Sequence, residues 1–167
     1  MQETNKMNEN TENIIHAERR KVTVAERLQA REDVFKLLFE SEFQKDCDRN
    51  EFYREESENI GVAADPDYVK AVYDGVMNHI TDLDAVITPC LNGRTLRRLS
   101  NVARVILRIA AYEMAYYQKE HGEKLDFSVS INEAVELAKK YDDDKVPGYV
   151  NGVLNSVAVS LGLKENG

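Results

Sequence analysis

Between residues 92 and 112 the chain has no Asp or Glu, yet it carries Arg94, Arg97, Arg98, Arg104 and Arg108 in and beside the apolar segment NVARVILRIAAYEM. A segment this apolar must bury one side, while cations this dense must lie in water or beside carboxylates. If one helix runs from near Arg94 towards Gln118, the five arginines fall within an arc of roughly 120° at 100° per residue. Leu99, Val102, Ile106, Ile109 and Ala110 gather on the neighbouring arc, with Val105 at its border. The stretch therefore predicts a central helix that faces a core and displays an arginine ridge. Glu113 projects near the middle of the apolar arc, which predicts a buried carboxylate held by a partner.

The same helical period recurs along the chain. In LQAREDVFKLLFESEF, Val34, Leu37 and Leu38 mark one face, and Phe35 and Phe39 widen it into a surface buried on more than one side. Residues 46–62 are charged and weakly patterned, fitting a short helix or a surface connection. Asp65-Pro66 supplies an N-cap and a first-turn proline, after which Val69, Val72, Tyr73, Val76, Ile80 and Leu83 keep a helical period to about residue 87. Pro89, Asn92 and Gly93 interrupt it. After HGEK, the spacing of Ser130 and Glu133 reads as a capping box opening a helix with Ile131, Ala134, Val135 and Ala138 inside. Beyond YDDDKVPG, Val150, Val153, Leu154, Val157 and Leu161 share a helical face rather than alternating as a strand would.

The whole predicts an all-α fold, a compact helical bundle in a single domain over 23–163. Residues 1–22 read as a polar, disordered extension and 164–167 as a tail. Among 167 residues, 43 % are hydrophobic and 31 % charged, which fits a soluble globular protein. No run approaches a membrane-spanning length, and the N-terminus has no apolar signal core, so the expectation is a cytoplasmic protein with no membrane contact. Cys47 and Cys90 form no CxxC pair, which argues against a disulfide framework or a zinc site. The net charge of −8 disfavours indiscriminate nucleic-acid binding but leaves room for a local basic surface.

The residues alone leave three readings of the arginines open: a solvated face paired with carboxylates of neighbouring helices, a phosphate-binding face, or a protein contact. Arginine's planar fork suits phosphate and stacks on exposed bases. Arg19, Arg20, Lys21, Arg27 and Arg31 form a second basic group, and a basic arm beside a basic ridge would make a track for single-stranded RNA. Catalysis finds no footing. His16, His79 and His121 lie in unrelated contexts, and the chain has no metalloprotease HExxH, GxSxG elbow or phosphate-binding glycine loop. Asp142, Asp143 and Asp144 match no calcium-loop spacing. The expectation is a protein that is not an enzyme and has no metal or cofactor.

The combination of LRIAAYE, INEAVELAK and YVNGVL, in that order and spacing, resembles the NusB family of bacterial transcription antitermination factors. AREDVFKLLFESEF resembles the family's N-terminal helix. The likeness covers roughly 27–161 and is weakest from 45 to 65. It implies a helical adaptor that, with the small-subunit ribosomal protein NusE, binds boxA RNA and joins other Nus factors on RNA polymerase to support ribosomal RNA synthesis. By that likeness Arg27, Arg31, Arg104 and Lys145 fall to the RNA side, and the two basic groups read from the residues themselves add Arg19, Arg20, Lys21, Arg97 and Arg98. Phe39 and Ala103 fall to the NusE side. Phe39 stands where the family often has tyrosine, and Ala103 where some relatives carry a carboxylate. Arg108, Glu113, Asn151 and Gly152 are expected to be structural, the last two through close packing or a local hydrogen bond. The alternatives are an interaction module that has lost selective RNA binding and the helical RNA-binding domain found in some RNA cytosine methyltransferases, although this chain has no room for their catalytic domain. Both a monomer and a homodimer fit.

Overall fold

The computed structural model describes residues 21–166, and every regular element among them is helical. α1 (Val24–Ser41) opens with a capping box: the Glu26 N–H donates to the Thr23 hydroxyl at 3.1 Å, and the Thr23 N–H donates back to the Glu26 carboxylate at 3.4 Å. α2 (Arg49–Ile60) fills the charged stretch, capped by Asp48 and stopped by Gly61 at φ 80°. α3 (Pro66–Asn78) starts at the Asp65 cap, as its Asp-Pro pair predicts. The apolar run does not continue unbroken to residue 87. His79 interrupts it, and α4 (Ile80–Ile87) follows. The His79 ring stacks on Tyr116 at 4.0 Å and bonds to Glu120 at 3.0 Å.

α5 (Asn101–Tyr112) is buried on nearly every side and packs against α1, α3 and α4 and against two later helices, α7 (Phe127–Tyr141) and α8 (Val146–Ser160). Past Tyr112 the helix widens into a π turn over Glu113–Tyr117, then closes through α6 (Gln118–His121) at Gly122. α7 and α8 pack together as a hairpin. α3 can approach α5 because residue 75 is glycine: a Cβ there would overlap the Tyr112 ring.

Three expectations are corrected. The helix predicted from Arg94 begins only at Asn101, because the Ser100 hydroxyl caps the Ala103 N–H at 3.0 Å and Leu99 is extended. Arg94 lies in a loop, and Arg97 and Arg98 lie in a 3-10 turn (Leu96–Arg98). The ridge on a single helix therefore reduces to Arg104 and Arg108. Ser130 is no cap either. Asp126 starts α7, and Ser130, one turn inside, is buried with its hydroxyl donating to Glu113 at 2.6 Å. Gly152 is exposed, and a Cβ there would meet nothing, so close packing does not account for it. Nearby, the Asn155 side chain donates to the Asn151 carbonyl at 2.8 Å, a local hydrogen bond within α8.

The deepest polar feature is the Glu113 carboxylate. It accepts from Arg31 Nε at 2.9 Å and Nη2 at 3.3 Å, from Ser130, and from the Tyr68 hydroxyl. Burial works against the Arg31 charge, but the attraction of Glu113 outweighs it and raises the guanidinium pKa. Burial and the Glu113 charge both push the Tyr68 pKa well up, so its phenol remains a donor. Glu113→Ala should therefore lower unfolding stability by about 3–5 kcal/mol, since it strands a buried cation; an unchanged urea midpoint would exclude this assignment. Gly75→Ala should lower it by about 1–3 kcal/mol through overpacking, and Tyr112→Ala in the same chain should reduce that increment.

Candidate nucleic-acid interface

The loop from α4 to α5 is shaped by backbone that few side chains tolerate. Asn92 has φ 52° and Gly93 φ 82°. Their turn sends the chain back past α8, where the Arg94 guanidinium lies over the Tyr149 ring, 4.6 Å from its centroid. The Tyr149 hydroxyl donates to the Leu91 carbonyl at 3.0 Å and ties α8 to the same loop. One helical turn earlier, Lys145 stands exposed at the start of α8. Arg97 and Arg98 are exposed on the 3-10 turn. Neither they nor Lys145 have a carboxylate partner among the described residues.

Arg104 and Arg108 behave differently. Arg104 pairs with Glu42 of α1 at 2.9 Å and donates to the carbonyls of Leu96 at 3.0 Å and Leu99 at 3.2 Å. It thereby closes backbone acceptors that the loop would otherwise leave open and holds the turn that displays Arg97 and Arg98. Arg108 grips Asp84 of α4 through two bonds of 2.8 and 2.9 Å and reaches Glu42 at 3.2 Å. Arg108 is thus a brace between helices.

The N-terminal basic group is divided. Arg19 and Arg20 lie outside the described residues, and Lys21 is exposed ahead of α1. Arg27 pairs with Asp65 and Glu123, each at 3.0 Å, and covers the Tyr68 ring. Arg31, expected on the RNA side, is only 6 % exposed and committed to Glu113, so it faces the core. The 15 helical steps from Arg27 to Glu42, the C-cap of α1 and the partner of Arg104, span about 22 Å, so the two basic groups do not merge into one ridge.

On the expected protein side, Phe39 is partly buried between Phe35 at 5.9 Å and Phe43 at 5.3 Å. Ala103, expected to meet a partner, is 2 % exposed and cannot present its methyl group. The aromatic that does face outward is Phe43, 59 % exposed at the end of α1. Its signal was present in the sequence as a period of four from Phe35 and Phe39. Tyr149 was legible only as an apolar helix position; its contact with Arg94 depends on the loop's return. Glu32, behind the aromatic group, accepts from Lys140 at 2.6 Å and from the Tyr141 hydroxyl. Burial opposes its charge, but these bonds prevail and hold its pKa below the ordinary glutamate value. Among the described residues no cluster of His, Cys, Asp and Glu is suited to a metal, and no helix is long and apolar enough to cross a membrane.

A family model described as the NusB family matches residues 28–159. The chain is 38 % identical over 130 residues to the transcription antitermination protein NusB of Ruminiclostridium cellulolyticum, covering 77 % of this chain and 86 % of the relative. To that of Tolumonas auensis it is 35 % identical over 143 residues, covering 84 % and 98 %. Its fold is similar to T. maritima NusB, with TM-score 0.67 and 30 % identity over 79 % of this chain and 89 % of the other. It is also similar to a chain in a structure of antitermination factors NusB and NusE in complex with double-stranded RNA, with TM-score 0.70 and 25 % identity over 83 % and 99 %.

Two outcomes are expected. Arg104→Ala should speed amide exchange across 96–100 and lower stability by about 1–2 kcal/mol, a partly exposed pair losing less than a buried one. Glu32 is a carboxylate with a depressed folded pKa. Its contribution is present above its unfolded value, ordinarily 4.5, and is lost as pH falls through the lower folded value. Glu32→Gln should therefore lower the urea midpoint at neutral pH and flatten its decline below pH 4.5; parallel curves for the two proteins would exclude the assignment.

Proposed function

The chain belongs to the NusB family, and on that premise we propose that it is a transcription antitermination factor that binds boxA-like RNA together with NusE. The observation that carries this reading is that Arg97, Arg98 and Lys145 are exposed without an ion-pair partner among the described residues, on the two segments that the Arg94–Tyr149 pair joins. Guanidinium groups on a short turn offer planar donors to phosphates, and a cation resting on an aromatic ring beside them offers a flat surface to an unstacked base. Affinity would come largely from phosphates and discrimination from exposed bases.

NusE would dock at the end of α1, where Phe39 supports the exposed Phe43, a rigid apolar anchor of the kind that carries interface energy. Through NusE and other Nus factors the protein would act on RNA polymerase in the cytoplasm and support ribosomal RNA synthesis. No step in that role requires chemistry from the chain itself. A second reading, a protein-binding module without selective RNA affinity, is favoured by one observation: Arg27, Arg31 and Arg104 are all engaged by carboxylates within the fold.

Fluorescence anisotropy with labelled boxA-like RNA, a scrambled RNA and a duplex control, each with and without NusE, separates the two. Selective binding strengthened by NusE supports the adaptor; equal binding of all three RNAs supports the module. In the adaptor, Arg97→Ala with Arg98→Ala should weaken binding across sequences and reduce the salt slope by about 1.4, the value for two lost single-strand phosphate contacts. Phe43→Ala should weaken capture of NusE tenfold or more while leaving affinity for RNA alone unchanged, a loss of about 1.4 kcal/mol or more.

A further inference from the structure

The last turn of α1, the loop after it, α2, α3 and the 96–98 turn surround a cleft of about 760 Å³, within the size range of small-molecule sites. Phe52, Val76 and Met77 contribute apolar wall. Tyr73 lines the same space; it is 1 % exposed, and its hydroxyl has no hydrogen-bond partner among the described residues. Buried polar groups are nearly always paired, so a lone phenol beside an open cavity marks a place for an acceptor from outside the fold. Burial pushes the Tyr73 pKa to about 12 against the opposing charge of Arg49, so the hydroxyl is a donor at neutral pH. Arg49, whose charge acts on that hydroxyl against the opposing charge of Asp74, also lines the cleft.

The charges around the cleft are unbalanced. Its two carboxylates, Glu42 and Asp84, are taken up by Arg104 and Arg108. Lys45 and Arg97 have no carboxylate partner among the described residues, and Arg49 reaches only the Asn78 side-chain oxygen, at 2.9 Å. What remains is a cavity with an apolar wall, one buried unmatched hydroxyl and a surplus of cations.

We propose that this cleft binds a small organic anion with an apolar body, a carboxylate or sulfonate carried on a ring or a short alkyl chain. The body packs against Phe52, Val76 and Met77. The anionic head accepts from the Tyr73 hydroxyl and is attracted by Arg49, while Lys45 and Arg97 raise the local anion concentration at the mouth. A neutral apolar molecule would leave both the phenol and the cations unmatched. The α1 rim of the cleft, Ser41, Glu42, Gln44 and Lys45, flanks Phe43, so a bound anion and NusE would share that edge. Arg97 belongs to both surfaces, so the test uses other residues.

The test titrates the full chain with anilinonaphthalene sulfonate, followed by its fluorescence, with near-ultraviolet circular dichroism confirming native packing throughout. One saturable site is expected, displaced by decanoate but not by decanol. Tyr73→Phe should weaken binding roughly three- to tenfold, the value of one hydrogen bond, without lowering the unfolding midpoint, because the hydroxyl has no partner inside the fold. Lys45→Glu, an exposed change that leaves the fold intact, should weaken binding, and so should Met77→Trp, which crowds the apolar wall. Absence of saturable fluorescence with natively packed protein would overturn the proposal. So would equal displacement by decanol, or unchanged affinity in both Tyr73→Phe and Lys45→Glu.

Discussion

The fold turns on one carboxylate. Glu113 sits where α5 widens into a π turn, and its oxygens are met by groups from α1, α3 and α7. Removing a carboxylate and a guanidinium from water is costly, and the cost is offset only when the remaining hydrogen-bonding positions are filled. Here Tyr68 and Ser130 fill them. The pairing therefore specifies more than a contact: it sets how far α1, α3 and α7 stand from the central helix. A π turn at the carboxylate is in keeping with where such turns occur, since they re-aim side chains within an otherwise regular helix.

That constraint divides the arginines into two populations. Arg27, Arg31, Arg104 and Arg108 face carboxylates and hold helices or loops in place. Arg94, Arg97 and Arg98 are exposed, with no carboxylate against them among the described residues. The two populations depend on each other, because Arg104 secures the turn on which Arg97 and Arg98 stand. An acidic protein can thus keep a basic surface: much of its negative charge lies elsewhere, on α2 for instance, and Glu42 and Asp84 beside the loop are taken up by Arg104 and Arg108.

Much of this was readable from the chain. Local signals with short reach behaved as expected: the Asp65-Pro66 start, the apolar periods of α1 and α8, and the burial of Glu113. Periodicity alone places the arginines on one ridge, because it does not detect where a helix starts. Extending the helix back to Arg94 kept a plausible arc, but the cap at Ser100 and the loop carbonyls gripped by Arg104 ended it seven residues later. Ser130 looked like a cap because capping spacing also arises inside a helix. Arg31 looked like an RNA contact because its partner is 82 residues away.

The sequence by itself determined the all-helical class, most of the helices and the family, because apolar period, caps and motif order are properties of neighbouring residues. Only the tertiary structure decided which arginines are free. A guanidinium's availability depends on whether a distant carboxylate arrives beside it, and no local pattern records that arrival. The same holds for the Arg94–Tyr149 pair and the unmatched Tyr73 hydroxyl, which depend on how segments far apart in the chain come together.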